Sequence, residues 1–165
     1  MTGANRDLHS GHFGGAVANP INVLCKLIAD VIDENGRITI PHFYDDVEEV
    51  PAAEREMIAA IPFDEEAYKQ GLGVEALQGE KGYSTLERNS CRPSFDVCGI
   101  WGGYTDEGAK TVIPSKAYAK VSTRLVPHQQ HEKISQLFID YIKEVAPRSV
   151  KVEVTPLHGG EGYVC

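Results

Sequence analysis

The sequence predicts an α+β fold, specifically a ferredoxin-like split βαβ sandwich in which two helices cover one face of an antiparallel sheet. Two observations support this prediction. The 165 residues are enough for one domain with a hydrophobic core of its own. The segments that show periodicity follow one another as strand, helix, insertion, strand, strand, helix and strand, with no internal repeat or low-complexity segment between them.

The first helix is predicted after a short strand remnant at residues 1–6. Asn19 can cap a helix, and Pro20 suits the first helical position. The apolar residues that follow recur at intervals of three and four, which is typical of an amphipathic helix. We expect Asn35 and Gly36 to end this helix, because both tolerate positive φ. The apolar positions are Val23, Leu24, Leu27, Ile28, Val31 and Ile32.

Residues 37–90 are acidic and irregular, and we interpret them as an insertion. The core of the single domain would then consist of residues 1–36 and 91–165. Insertions of this kind usually lie on the surface and are tolerated there. Within the insertion the sequence favours one short strand and two short helices, at residues 37–40, 51–61 and 64–70.

Regular structure is predicted to return after the insertion. Two strands come first, and alternation in the second places Tyr118, Lys120, Ser122 and Arg124 on one face. A helix with an apolar stripe follows them, and a short strand ends the pattern. The four predicted segments are residues 94–101, 117–126, 129–145 and 150–154.

Charge and composition restrict the partners and the compartment. The net charge of −8 and the pI of about 5.2 argue against nucleic acid and against an anionic membrane surface. No stretch is apolar for long enough to cross a bilayer, and the first residues do not form a secretion signal. The four cysteines form no C-x-x-C pair, so we interpret them as reduced thiols of a cytoplasmic protein. Cys25 and Cys98 are expected to be small core residues.

His9 is the first candidate functional residue, because it lies in a glycine-rich turn at residues 7–15. An imidazole held in a turn can donate a hydrogen bond to a developing oxyanion. The alternative is a histidine whose hydrogen bonds are all satisfied within the turn. His12 follows three residues later, but no third ligand is evident nearby, so we do not expect a metal site.

Arg124 is the second candidate, at the end of an apolar strand. Its planar guanidinium suits a ligand carboxylate, although a cross-strand pair with a carboxylate of the same domain would also explain it. Thr111 offers a hydroxyl, or is an ordinary strand residue. His158 stands beside two glycines, or belongs to a turn after the last strand. Dinucleotide, phosphate-loop, nucleophilic-serine and zinc-protease motifs are absent from the sequence.

Taken together, these segments resemble the M20 family of zinc metallopeptidases, in particular its dipeptidase and carnosinase-like branch. The matching segments occur in the same order and run from near the start of the chain to near its end. They are residues 7–15 (DLHSGHFGG), 92–93 (RP), 99–103 (GIWGG), 107–116 (EGAKTVIPSK), 124–127 (RLVP) and 158–160 (HGG).

The resemblance implies that this chain is the lid and dimerisation domain of such an enzyme. In the family, a ferredoxin-like lid is inserted into a catalytic domain that binds two zinc ions through histidines and carboxylates. The metal-binding segments of that catalytic domain have no counterpart here. The chain is therefore expected to hold no metal and to be inactive alone. The parent enzyme is expected to be a homodimer that hydrolyses dipeptides or similar small amides.

The resemblance also implies roles for individual residues. His9 would reach across the dimer into the neighbouring subunit's site and stabilise the tetrahedral oxyanion. Thr111 and Arg124 would contact the substrate, with Arg124 binding its C-terminal carboxylate. His158 would lie near the substrate. The family's first strand is longer than residues 1–6, so we expect both ends to be cuts within a longer protein and the shortened strand to leave unpaired edges.

Two other functions remain open at the level of sequence. A free-standing ferredoxin-like regulatory module could sense an amino acid or peptide, using Arg124 and Thr111 to bind its carboxylate. Binding of dipeptides to the isolated chain would favour that function, because a lid alone presents half a site. A small hydrolase in its own right is the third hypothesis, and it requires amide hydrolysis by the pure chain that a chelator does not diminish.

Overall fold

The computed structural model describes residues 1–162, so Cys165 lies outside the described part of the chain. The chain contains both helices and strands, in agreement with the predicted α+β class. Within the described residues the strands form two antiparallel two-stranded sheets. In chain order the elements are β1 (Leu8–His9), α1 (Ser10–Phe13), α2 (Pro20–Ala29), α3 (Ala52–Ala59), α4 (Glu65–Leu72), α5 (Thr85–Ser90), β2 (Ser94–Gly102), β3 (Val112–Ile113), β4 (Ala117–Arg124) and α6 (His131–Val145).

The larger sheet consists of β2 and β4, the two strands predicted after the insertion. They pair antiparallel from Ser94 opposite Arg124 to Gly102 opposite Ala117. The register shifts once, between Val97 and Gly99, as expected for a β-bulge. Within residues 1–162, β2 pairs with no strand other than β4, so its second side is an open edge.

The smaller sheet pairs β1 with β3. Next to it, the N-terminal residues bridge to the residue before β4 and to the C-terminal segment. His9 lies opposite Val112 in this sheet. Nearer the N-terminus, Thr2 forms bridges to both Lys116 and Lys151. The strand remnant expected at residues 1–6 therefore exists as a bridge between β4 and the C-terminal segment. The final strand expected at residues 150–154 is reduced to a single bridge, which pairs Lys151 with Thr2.

The main core lies where α6 packs against β2 and against the chain that follows α2. Phe95 of β2 and Phe138 of α6 have ring centroids 5.8 Å apart, and α2 lies against β4. Three of the core residues belong to the start of the expected insertion, so part of that segment is buried while its helices α3 and α4 are largely exposed. The buried members of the core are Val31, Ile38, Ile40, Phe43, Phe95, Ile134 and Ile142.

The helix predictions are largely confirmed, with corrections at the ends. The Asn19 side chain caps α2 by accepting a hydrogen bond from the Ile21 N–H at 2.9 Å. The helix ends at Ala29, earlier than expected, and Asn35 and Gly36 lie in a later turn. The Asp33 carboxylate organises that turn by accepting backbone N–H bonds. The strand expected at residues 37–40 is limited to one bridge between Ile32 and Ile38.

Both expected helices of the insertion are present as α3 and α4, and the helix expected at 129–145 is present as α6. Helix α5 was not predicted, although Ser84 and Glu87 form a capping box at its start. Glu87 is well buried and accepts hydrogen bonds from Arg55 and from the Ser84 N–H. These bonds, led by that from Arg55, lower the pKa of Glu87 to about 2.

The expected burial of the cysteines is wrong at two positions. Cys25 and Cys98 are exposed, because Cys25 lies on the solvent side of α2 and Cys98 stands at the bulge of an edge strand. Cys91 is partly buried, and all three are free thiols. Among the described helices, none has both the length and the apolar character that a membrane span requires.

Candidate functional site

His9 and Thr111 are brought together by the pairing of β1 with β3. The His9 Nε2 atom lies 3.2 Å from the Thr111 hydroxyl oxygen. On the other side of the ring, Nδ1 accepts a hydrogen bond from the Gly11 N–H at 2.9 Å. The Ser10 N–H donates to the Thr111 carbonyl at 3.0 Å, which holds the two strands together next to the side chains. Both side chains are open to solvent and thus to a ligand.

Asp7 holds this corner of the molecule to the loop before β4. Its carboxylate accepts a hydrogen bond from the Ser115 N–H at 2.7 Å. That bond is the main cause of a lowered pKa for the Asp7 carboxyl. The sequence analysis did not identify Asp7, because its partner Ser115 is 108 residues away in the chain.

His12 stands beside His9 with ring centroids 4.9 Å apart. Throughout residues 1–162, no group of three or more histidine, cysteine, aspartate or glutamate side chains is arranged to hold a metal ion. The two rings therefore form a pair without the further ligand that a metal site requires.

Arg124 lies at the far end of β4, opposite Ser94. Its side chain is exposed and forms no hydrogen bond or ion pair within the described part of the chain, so the cross-strand pair considered from the sequence is not found there. Arg124 lies seven positions after Ala117 along the extended strand, so the backbones of the two residues are about 23 Å apart. The His9–Thr111 corner lies beyond the Ala117 end, because the N-terminal residues pair with residues 115–117 before they reach β1.

His158 lies in the C-terminal segment, which runs along the turn between β4 and α6. The backbone of Gly159 is in close contact with the His131 ring. The His131 Nδ1 atom lies 2.7 Å from a carboxylate oxygen of Glu161, and Gly162 lies against the backbone of Val126. Because Val126 follows Arg124 by two residues, His158 belongs to the same end of the molecule as Arg124. The four predicted residues thus divide into two pairs by position. His9 and Thr111 lie beyond the Ala117 end of β4, and Arg124 and His158 lie at its other end.

The turn after Arg124 is held by a buried side chain that the sequence did not indicate. Gln129 is 1% exposed. Its amide oxygen accepts a hydrogen bond from the Val126 N–H at 3.1 Å, and its amide nitrogen donates to the Phe43 carbonyl at 2.8 Å. No sequence pattern distinguishes this glutamine, because its second partner, the Phe43 carbonyl, is 86 residues away in the chain.

A second buried cluster attaches the insertion to the sheet. Arg92, just before β2, donates two hydrogen bonds to the Glu80 carboxylate at 2.7 and 2.8 Å. Arg37 adds a third contact to the same carboxylate at 3.2 Å. The Arg92 guanidinium also lies over the rings of Tyr44 and Tyr83. Arg92 is one of the residues on which the resemblance rests. Its observed contacts hold the insertion against the sheet.

Residues 1–150 match the family model described as the peptidase dimerisation domain of M20 enzymes. The chain belongs to the M20 peptidase dimerisation domain family. The resemblance to the M20 family inferred from the sequence is therefore confirmed, and the matched domain is the dimerisation domain.

Known relatives of this dimerisation domain are dipeptidases and a carboxypeptidase. The Cys-Gly metallodipeptidase DUG1 of Candida albicans is 34% identical over 99% of this chain and 34% of its own length. The Beta-Ala-His dipeptidase of Homo sapiens is 34% identical over 86% of this chain and 28% of its own length. The M20 family metallo-carboxypeptidase Sso-CP2 from Sulfolobus solfataricus has a similar structure, with a TM-score of 0.76 and 35% identity. That match covers 87% of this chain and 37% of the other. The chain spans about a third of the length of the curated relatives it matches.

Proposed function

We propose that this dimerisation domain is also the lid of an M20 dipeptidase, and that it supplies substrate-binding groups to active sites formed between two subunits. The metal centre of such an enzyme, expected to contain two zinc ions, would belong to a catalytic domain outside these residues. The names of the relatives indicate metallopeptidases that cleave small peptides.

The separation of the two residue pairs is the observation that carries this proposal. A fully extended dipeptide spans about 7 Å, whereas the length of β4 alone separates the two pairs by about 23 Å. One chain therefore cannot apply both pairs to the same dipeptide. Two chains related by a two-fold axis can, if His9 and Thr111 of one subunit meet Arg124 and His158 of the other.

The chemistry of each pair suits a different part of a dipeptide. The His9 ring and the Thr111 hydroxyl can donate hydrogen bonds to the oxyanion that forms when water attacks the amide. The Arg124 guanidinium suits the terminal carboxylate, which it can bind through two parallel hydrogen bonds. His158 would lie beside that carboxylate. Closure of the lid would exclude water from the composite site.

The open edge of β2 is the surface we assign to the homodimer. Val97 and Ile100 pair with Val121 and Ala119, which alternate on the helix-covered face of β4. They are nevertheless 39% and 47% exposed, because α2 lies against β4 and leaves the flank beside β2 uncovered. Antiparallel pairing of two β2 edges across a two-fold axis would extend the sheet and bury these side chains.

The ferredoxin-like topology, with the insertion at residues 37–90, is part of the same proposal. The bridges of Thr2 to Lys116 and to Lys151 support it. They give the order C-terminal segment, N-terminal segment, β4 and β2, which is the strand order of a split βαβ sandwich. A cytoplasmic location is also proposed, on the basis of the free thiols.

Heterodimers of two defective subunits test the composite site. In the full-length dipeptidase, His9→Ala and Arg124→Ala homodimers each lack one group in both sites. A heterodimer, isolated through two different affinity tags, restores both groups in one of its two sites. We expect about half of the wild-type activity from that heterodimer. A heterodimer no more active than the two homodimers would show that both groups act within one subunit and would overturn the proposal.

A further inference from the structure

The His9 ring is held from both sides, and the two contacts differ in kind. A backbone N–H can only donate, so the bond from Gly11 to Nδ1 requires a lone pair on Nδ1. In a neutral imidazole the ring proton is then on Nε2. The geometry therefore selects one tautomer, the one that presents Nε2–H toward the Thr111 hydroxyl 3.2 Å away.

The position of the His9 ring also requires a residue without a side chain at position 11. A Cβ atom at position 11 would lie 2.8 Å from the Cε1 atom and 3.0 Å from the Nδ1 atom of His9. Those distances are too short for ordinary contacts, so any side chain at this position would displace the ring. The donor that fixes the tautomer and the space that accepts the ring are thus supplied by the same residue.

Thr111 completes the arrangement. When its hydroxyl oxygen accepts the Nε2 proton of His9, its own proton is free to point away from the ring toward a ligand. The bond between the Ser10 N–H and the Thr111 carbonyl keeps the two side chains in register. A ligand oxygen that approaches this corner can accept the Thr111 O–H, and it accepts the Nε2–H of His9 only when it takes the place of the Thr111 oxygen.

We propose that Gly11 is a positioning residue, which holds neutral His9 as the Nε2–H tautomer and directs that proton toward Thr111, or toward an oxyanion that takes the place of the Thr111 oxygen. The use of the proton in catalysis rests on the proposed function, whereas the tautomer and the ring position do not. The ring would then stabilise negative charge without first having to acquire a second proton.

Nitrogen-15 NMR of histidine-labelled protein tests the tautomer directly. The 165-residue chain is measured at a pH high enough to keep its imidazoles neutral, and the His9 signals are assigned by their loss in His9→Gln. We expect wild-type His9 to carry its proton on Nε2 alone. A proton on Nδ1 of wild-type His9, or an even mixture of the two tautomers, would overturn the proposal whatever the variants do.

Gly11→Ala tests the positioning role, with Gly71→Ala as its control because a Cβ at position 71 meets no atom within 4 Å. We expect Gly11→Ala to shift the His9 signals and to mix its tautomers, while the signals of His42 and His131 stay unchanged and report an intact fold. Gly71→Ala should leave His9 as it is. A Gly11→Ala spectrum identical to wild type would contradict the role.

Kinetics of the full-length enzyme provide a readout that a purely structural role would not affect. Gly11→Ala is expected to lower kcat by up to about 10²-fold, as does the loss of one oxyanion donor, with little change in KM. An unchanged kcat together with altered NMR signals would refute the proposed catalytic use of His9 and leave its positioning intact. The two proposals can therefore fail separately.

Discussion

At the residue scale, the candidate groups owe their positions to backbone pairing. His9 is placed by its position opposite Val112, and Arg124 by its position at the last pair of the larger sheet. Their side chains are exposed, so burial does not hold them. This is typical of binding groups, which must be rigidly presented and still be reachable by a ligand.

Replacement of Arg124 tests its role in binding a carboxylate. In the full-length enzyme proposed above, Arg124→Ala should raise KM by about 10- to 100-fold, because a charge-assisted pair is worth about 1.5–3 kcal/mol. Lysine at this position should recover only part of the loss, since it lacks the planar fork. The exposed Arg148→Ala is the control and should leave KM unchanged. Equal KM values for Arg124→Ala and wild type would exclude the assigned role.

The residue identities could be predicted from sequence motifs, but their grouping could not. The motifs single out His9, Thr111, Arg124 and His158 without indicating that they form two pairs. That division depends on the length of β4 and on the path of the C-terminal segment, which are properties of the folded chain. Gly11 lay within a recognised motif, and its contact with His9 becomes evident only when the turn is folded.

At the element scale, long periodic segments were predicted well and short strands were not. The apolar stripe of α6 and the alternation of β4 are local signals that tertiary contacts reinforce. The segments at residues 37–40 and 150–154 have strand composition, but the structure gives each of them a single bridge. Strand formation requires a distant partner of matching length, and a single sequence does not contain that information.

The insertion also shows why surface segments are hard to judge from composition. Its acidic character suggested a peripheral segment, yet Glu80 is almost fully buried against Arg92. Each charge is stable there only because the other neutralises it and satisfies its hydrogen bonds.

Removal of one partner of this pair should destabilise the whole domain. Arg92→Ala is expected to reduce the free energy of unfolding by about 3–5 kcal/mol, because it leaves the Glu80 carboxylate buried without its main partner. Urea denaturation followed by circular dichroism measures the effect. The double variant Glu80→Gln, Arg92→Met should be more stable than Arg92→Ala, since it removes both charges. A loss no larger than that of the exposed Arg148→Ala would show that the cluster contributes little.

At the scale of the whole molecule, the fold and the candidate site both favour the association of two chains. Within residues 1–162 the larger sheet has an open edge with uncovered apolar side chains, and the candidate residues lie too far apart to act on one dipeptide. Association of two chains would resolve both, because it covers the edge and brings opposite ends of two molecules together. Membership of the dimerisation domain family points in the same direction.

Sedimentation velocity of the 165-residue chain across a dilution series tests this association most directly. Two variants accompany the wild type: Ile100→Glu on the β2 edge, and Ile61→Glu, whose side chain is similarly exposed at 52% but lies in the insertion. Circular dichroism confirms that each is folded. We predict a dimer for the wild type and for Ile61→Glu, and a monomer for Ile100→Glu. A folded wild-type chain that is monomeric at every concentration, or a dimer that Ile100→Glu leaves intact, would contradict the account.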